Sequence, residues 1–321
     1  MLESKYCIGV DLGGTNIAVG LVDLKSKKIV KQHSVKTNAP RSCEEICADI
    51  AAVCRKLCAM EGIEMSMLSW VGVATPGITK DGIVVSATNL GWQNAKLGKI
   101  LAEATGVHTY VANDANAAAY AEAIWGSGAG AESLIAFTLG TGVGGGIVIG
   151  GKIWEGVNGF AAEMGHAIVD PQGRLCGCGR RGCLEAYCSA TALIKETKRM
   201  MSLYPESAMW AEVDGDVERV SGKTAFRAME KGDRAATLVV NEFVDYLALG
   251  IANAINIFQP DVVCVGGGIS REGDVLLNPI RERVLHLSFG IESSRTKVVA
   301  ATFRNDAGIL GAALLGLQDA N

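Results

Sequence analysis

The chain has 321 residues, 49% of them apolar, which is enough for two domains with sizeable cores and too apolar for a disordered polymer. The formal net charge of -4 excludes the broad basic surface that displaces counterions from nucleic-acid phosphates. The opening MLESKYCIGVD lacks the charged-then-apolar layout of a signal peptide and no apolar run reads as long enough to span a bilayer, so no membrane partner and a cytoplasmic location are expected.

In chain order, residues 6–11 (YCIGVD) predict a short buried strand, 17–24 a second and 29–35 a third, a meander joined by glycine-containing turns. Helical spacing follows over 42–61, then a buried strand at 69–75 broken by Pro76-Gly77. A helix is expected over 94–105, a strand over 108–112 and an alanine-rich helix over 114–125. The layout then recurs: strand 133–139, Gly140-Thr141-Gly142, strand 143–149. Helices at 190–202 and 234–258, a strand at 261–265 before Gly266-Gly267-Gly268, a helix at 274–287, a strand at 297–301 and a helix at 306–317 follow. The polar stretch 204–223 reads as surface helix or loop. Each half opens with strand, Thr-containing glycine turn, strand, which points to duplicated α/β domains facing a cleft, with the boundary near 116.

Glycine turns let backbone N–H groups approach phosphate oxygens with no Cβ in the way. Gly13, Gly14, Thr15 and Asn16 form one such turn; Gly140, Thr141 and Gly142 form a second. Asp11 just before the first is placed to meet a phosphate-bound Mg2+ through water. Gly266, Gly267 and Gly268 could let an adenosine lie against backbone. Any one of these is equally a tight turn without a ligand; three together, each after an apolar strand, favour a nucleotide. Neither a P-loop nor a Rossmann fingerprint is present. Between the halves, Asn113-Asp114 ends a strand and starts a helix. Capping explains an Asp there; the functional reading is a general base for phosphoryl transfer, which asks for positioning, charge stabilisation and one carboxylate.

His166, Cys176, Cys178 and Cys183 supply one imidazole and three thiolates, the ligand set of a closed, structural Zn2+ site. Such a site would fix Glu163, His166 and Glu185, and leave one His166 ring nitrogen for a sugar hydroxyl. Cys43, Cys47, Cys54 and Cys58 share one helix face and read as small apolar core residues, with a second metal site as the alternative. Trp92 either packs or stacks on a sugar.

The run LGTGVGGGIVIGGKIWEGVNGFAAEMGH from Leu139 to His166, CGCGRRGCLE from Cys176 to Glu185, and DLGGTN, ATPG, TNLGW, VANDANAAA and VGGGIS together resemble the ROK family of bacterial sugar kinases and repressors, across the whole chain. The resemblance implies an actin-like (ribonuclease H-like) two-domain α/β fold: a small domain of residues 1–116 completed by 303–321, and a large domain of 117–302 carrying the zinc loop. It implies Asp114 as catalytic base, and Gly77, Thr88, Asn113, Glu163, His166 and Glu185 as sugar partners. It further assigns Asp11, Gly14, Thr15 and Asn16 to phosphate or Mg2+ and Thr141 and Gly142 to the other side of the phosphates of ATP. A dimer or tetramer is implied. No helix-turn-helix precedes Tyr6, so the repressor branch is disfavoured. The glucokinase branch fits TNLGW with EMGH; kinases of N-acetylmannosamine, fructose or allose, a non-catalytic sugar sensor, and a cysteine-nucleophile hydrolase are the competing readings.

Overall fold

The computed structural model describes residues 6–290 and 295–319. They divide into two compact units, one of residues 6–130, 146–162 and 305–319, the other of 131–145, 163–290 and 295–304. The first unit thus reaches past the expected boundary at 116, because the helix that starts at Asp114 is continuous and packs within that unit. Residues 1–5, 291–294, 320 and 321 of the two expected domains lie outside the described residues.

In the first unit, β1 (Tyr6–Leu12) pairs antiparallel with β2 (Asn16–Asp23), and β2 with β3 (Lys28–Lys36). Helix α1 (Cys43–Met60) starts in a capping box: Ser42 Oγ accepts from Glu45 N at 3.2 Å, and Glu45 Oε2 accepts from Ser42 N at 3.0 Å. Its inner face buries Cys43, Ile46, Cys47, Ile50, Cys54, Leu57 and Cys58 in the core beneath the sheet, so the four cysteines act there as small apolar residues. β4 (Leu68–Thr75) runs parallel to β1. A small antiparallel sheet then forms from β5 (Ile78–Lys80), β6 (Ile83–Ala87) and β7 (Trp92–Ala95). These strands are too short to carry periodicity, and β7 takes the first residues of the expected helix, leaving α2 as Leu97–Thr105. Trp92 is buried and its Nε1–H donates to Arg41 O at 2.8 Å, an ordinary packing role. β8 (Thr109–Asn113) lies parallel to β4, and α3 spans Asp114–Ile124.

The second unit is built on β9 (Ser133–Leu139), and the strand β10 (Val143–Ile149) leads back to the first unit and the short β11 (Lys152–Ile153). After the cysteine loop come α4 (Glu185–Cys188), α5 (Ala190–Leu203), α6 (Thr224–Glu230) and α7 (Arg234–Phe258). Strand β12 (Val262–Gly267), α8 (Asp274–Leu287) and β13 (Lys297–Ala300) follow, and β12 lies parallel to both β9 and β13. Contrary to expectation, α7 is long and apolar enough to cross a membrane by length and composition; 61% of its apolar window is buried, as in a core helix. The stretch 204–223 is not all surface: Ser207, Met209, Val213 and Val220 are buried.

Helix α9 (Ala307–Leu314) belongs to the first unit. It sits in backbone contact with β1, β4 and α3. A Cβ on Gly9 would fall 1.9 Å from Ile309 O, one on Gly72 1.7 Å from Ala312 O, and one on Gly311 1.9 Å from Ala117 O. Glycine at these three points lets the helix lie flush on the sheet.

Candidate active site

The parallel strands β1, β4 and β8 end at one edge of the first sheet, where open α/β sheets take ligands. Asp11 pairs with Ala74, and Thr75 with Asn113, so the register brings Asp11, Gly77, Asn113 and Asp114 to that edge. Asn113 is the N-cap of α3: its Oδ1 accepts from Ala115 N at 2.9 Å and Asn116 N at 3.2 Å, while its Nδ2 donates to Gly77 O at 2.9 Å. The capping duty expected of Asp114 therefore falls largely on its neighbour. Asp114 is the first helical residue; the residue is exposed overall although protein surrounds its carboxylate, which accepts from Ala115 N at 2.8 Å. Gly77 adopts φ 90°, and a Cβ there would lie 2.1 Å from Ser86 O, so the turn that receives Asn113 admits only glycine.

The second carboxylate at this edge adds to the cost of ionising Asp11. Burial, and then the charge of Asp114, push Asp11 up to about 6. Desolvation by the surrounding protein also raises Asp114, against the opposing pull of the backbone N–H groups at the helix start. The helix N-terminus does not win outright, as a simple dipole argument would have it. The Gly13–Asn16 turn beside Asp11 is closed by Gly13 N to Asn16 O at 2.9 Å and braced by Thr37, whose Oγ1 donates to Gly13 O at 2.6 Å and whose N donates to Thr15 O at 3.0 Å. Thr15 and Asn16 stay exposed, as does Thr88 on the short turn Thr88–Leu90.

In the second unit, β9 runs into Gly140-Thr141-Gly142, and the parallel β12 carries Gly266 and Gly267 beside Thr138 and Leu139. The two glycine segments are thus neighbours. Gly267 has φ 87°, and a Cβ there would lie 2.4 Å from Leu139 O; Gly268 faces open space. Gly140 N donates to Gly142 O at 3.0 Å, and Thr191 Oγ1 donates to Thr141 O at 2.8 Å, fixing the turn.

Glu163 is exposed at the start of the turn Met164–His166, which lies close against β10: a Cβ on Gly165 would fall 2.2 Å from Val143 O. Glu185 opens α4, and its carboxylate has two partners that spacing did not reveal. Oε2 accepts from Val143 N at 3.0 Å, and Oε1 accepts from Cys176 Sγ at 3.6 Å. One side chain therefore joins the glycine turn to the cysteine loop, across 42 residues of sequence.

The ligand atoms of His166, Cys176, Cys178 and Cys183 all lie within 4.8 Å of one another. Cys178 and Cys183 Sγ are 3.6 Å apart, and Cys176 Sγ is 3.9 Å from His166 Nδ1. A tetrahedron of Zn–S and Zn–N bonds has edges of roughly 3.6–3.8 Å; two separations match it and none exceeds 4.8 Å, so the cluster could hold a metal ion after closing by up to about 1 Å. The nitrogen facing the cluster is Nδ1, which leaves Nε2 for another partner. The N–H groups around Arg180 lower the thiol of Cys178 to about 6, favouring the thiolate a metal takes.

The sequence model of the ROK family matches residues 7–319. The chain belongs to the ROK family. It is 39% identical over 309 residues to a glucokinase of Thermotoga maritima, covering 95% of each chain. It is 35% identical over 324 residues to a glucokinase of Halalkalibacterium halodurans, covering 100% of this chain and 97% of the other. A ROK family glucokinase from Streptomyces griseus, solved in complex with glucose and AMPPNP, matches with a TM-score of 0.80 at 38% identity over 98% of this chain and 99% of that one. The fold of this ROK protein is accordingly the actin-like sugar kinase α/β fold. Of the residues assigned from sequence, the first unit gathers Asp11, Gly77, Asn113 and Asp114, and the second gathers Gly142, Glu185, His166 and the three cysteines.

Proposed function

We propose that this ROK protein transfers the γ-phosphoryl group of ATP to glucose at its 6-hydroxyl. The observation that carries the mechanism is Asp114 at the start of α3, with Asn113 doing most of the capping and the Asp114 carboxylate left open to take a proton. Near-full-length likeness to glucokinases supports the substrate.

In this reading Asp114 accepts the proton of the attacking hydroxyl as the phosphoryl group departs from ADP. Asn113, Glu163, His166 Nε2 and Glu185 hydrogen-bond the sugar, and Gly77 and Thr88 border it. Hydroxyls held this way discriminate strongly, since a missing one strands a buried polar group. The N–H groups of Gly13–Asn16 and Gly140–Gly142 take the phosphates, and the open backbone at Gly268 suits the adenosine. Mg2+ held through water by Asp11 would neutralise the phosphates, and Zn2+ in the four-ligand cluster would be structural. An ATP donor supports a cytoplasmic location for the reaction. The exposed apolar residues Ile257, Phe258 and Phe289 support assembly as a dimer or tetramer, which light scattering on the purified protein would establish.

A coupled ADP-release assay over glucose, mannose, fructose, allose and N-acetylmannosamine tests the reading, with polyphosphate as the alternative donor. The expected result is the highest kcat/KM for glucose with ATP. Turnover on none of these sugars, despite glucose binding, would replace the kinase with a sensor.

A further inference from the structure

The loop from Asp170 to Cys183 carries three of the four cluster ligands, and most of it is exposed. Its root is fastened by side chains that are not ligands. Tyr187, buried on α4 two residues beyond Glu185, accepts at its hydroxyl from Arg174 N at 2.9 Å and donates to Asp170 Oδ2 at 3.1 Å, tying the two ends of one turn together. The loop closes around that hydroxyl only because glycines stand at its crossings. A Cβ on Gly173 would lie 1.9 Å from the Tyr187 hydroxyl, and one on Gly182 1.6 Å from Asp170 O. The Arg174 guanidinium lies over the Tyr187 ring at 4.8 Å, and Tyr246 stacks on the same ring at 3.8 Å. Nη2 of Arg174 also donates to Glu196 on α5 at 2.9 Å and to Glu242 on α7 at 2.8 Å. One planar cation thus joins the loop to two long helices.

We infer that Tyr187 and Arg174 form a metal-independent clamp that sets the position of the cysteine loop, and through it of His166 and Glu185. Both are positioning residues, and the sugar half of the inference rests on the glucokinase reading. A tetrahedral ion fixes its four ligand atoms relative to one another; it does not orient the loop on the rest of the unit. The clamp supplies that orientation, because its anchors lie on α4, α5 and α7. Losing it leaves the loop held by its backbone bonds alone, such as Val169 N to Gly182 O and Gly182 N to Arg174 O at 2.8 Å, so the ion escapes faster and the sugar partners shift more than the glycine turns that take the nucleotide.

The test uses the zinc-loaded protein and its Tyr187→Phe, Glu242→Gln and Arg174→Lys variants. Zinc transfer to the chromogenic chelator 4-(2-pyridylazo)resorcinol is timed, and KM for glucose, KM for ATP and kcat are measured. Tyr187→Phe is expected to speed zinc transfer and raise glucose KM, each by about tenfold, with ATP KM and kcat within about twofold of the parent. Arg174→Lys should shift both readouts in the same direction as Tyr187→Phe, since a point-charge ammonium gives up the planar guanidinium cover of the Tyr187 ring. Should Tyr187→Phe fail to fold, Glu242→Gln carries the same expectation at smaller amplitude. Faster zinc transfer is expected even if the favoured sugar is not glucose, which separates the clamp from the substrate assignment. Parental zinc transfer in the folded variants, or a rise of ATP KM equal to that of glucose, would overturn it.

Discussion

Gly142→Ala perturbs the site at a single atom. The backbone there is not left-handed, so alanine meets no conformational penalty. Its Cβ would instead lie 2.3 Å from Glu185 Oε2 and 3.2 Å from Cδ. To restore ordinary contact the carboxylate must retreat by about 1 Å. The 3.0 Å bond from Val143 N then stretches past hydrogen-bonding range, and the 3.6 Å contact with Cys176 goes with it. A bond to a charged acceptor is worth about 1.5–3 kcal/mol net. If that orientation of Glu185 serves the transition state, kcat/KM should fall about 10- to 100-fold. The assay is steady-state kinetics with glucose and Mg-ATP on Gly142→Ala, Glu185→Ala and the double variant. The two changes act through one carboxylate, so the double variant should be no worse than Glu185→Ala alone. Fully additive losses, or a Gly142→Ala enzyme within about twofold of the parent, would refute the link between the glycine turn and Glu185.

Asp114→Asn should lower kcat by about 100- to 10,000-fold while calorimetry still detects glucose binding; near-parental turnover would remove Asp114 as the base. Asp11, raised to about 6, holds its proton more tightly folded than unfolded. The stability this contributes is full below the ordinary carboxylate range and lost as pH rises through about 6, so its ionised form costs stability at neutral pH. Asp11→Asn should therefore raise the Tm of the ligand-free protein at pH 7.5, by roughly 1–3 kcal/mol of stability, while weakening Mg-ATP binding; an unchanged Tm would contradict the burial argument. In the parent, activity should decline as pH falls through about 6. Stripping metal with a chelator should release one zinc per chain, lower Tm and raise glucose KM; zinc-free protein with parental Tm and KM would dismiss a structural ion.

Features confined to a short stretch of chain were legible. The cysteine-histidine cluster needs only residues 166–183, and the strand–glycine–strand pattern that opens each half is local too. The face of α1 was legible because helical spacing alone brings Cys43, Cys47, Cys54 and Cys58 together. The division of labour at Asn113-Asp114 was not, since either residue can cap, and only the bonds to Ala115 and Asn116 decide it. The Val143–Glu185 bond and the reach of Arg174 to Glu242 join residues 42 and 68 positions apart, which spacing does not encode. The strands β5, β6 and β7 were missed because three to five residues are too few to show a period.

The flush seat of α9 on β1 and β4 bears on how the protein is made. Those strands leave the ribosome early, and the helix that covers Gly9 and Gly72 emerges only after residues 163–304 of the second unit. The second unit can complete its core during synthesis, whereas the unit carrying Asp11 and Asp114 must keep an apolar sheet face waiting for α9. Translation that stalls before residue 305 would leave that face bare, a substrate for chaperones and proteases rather than a partly active kinase.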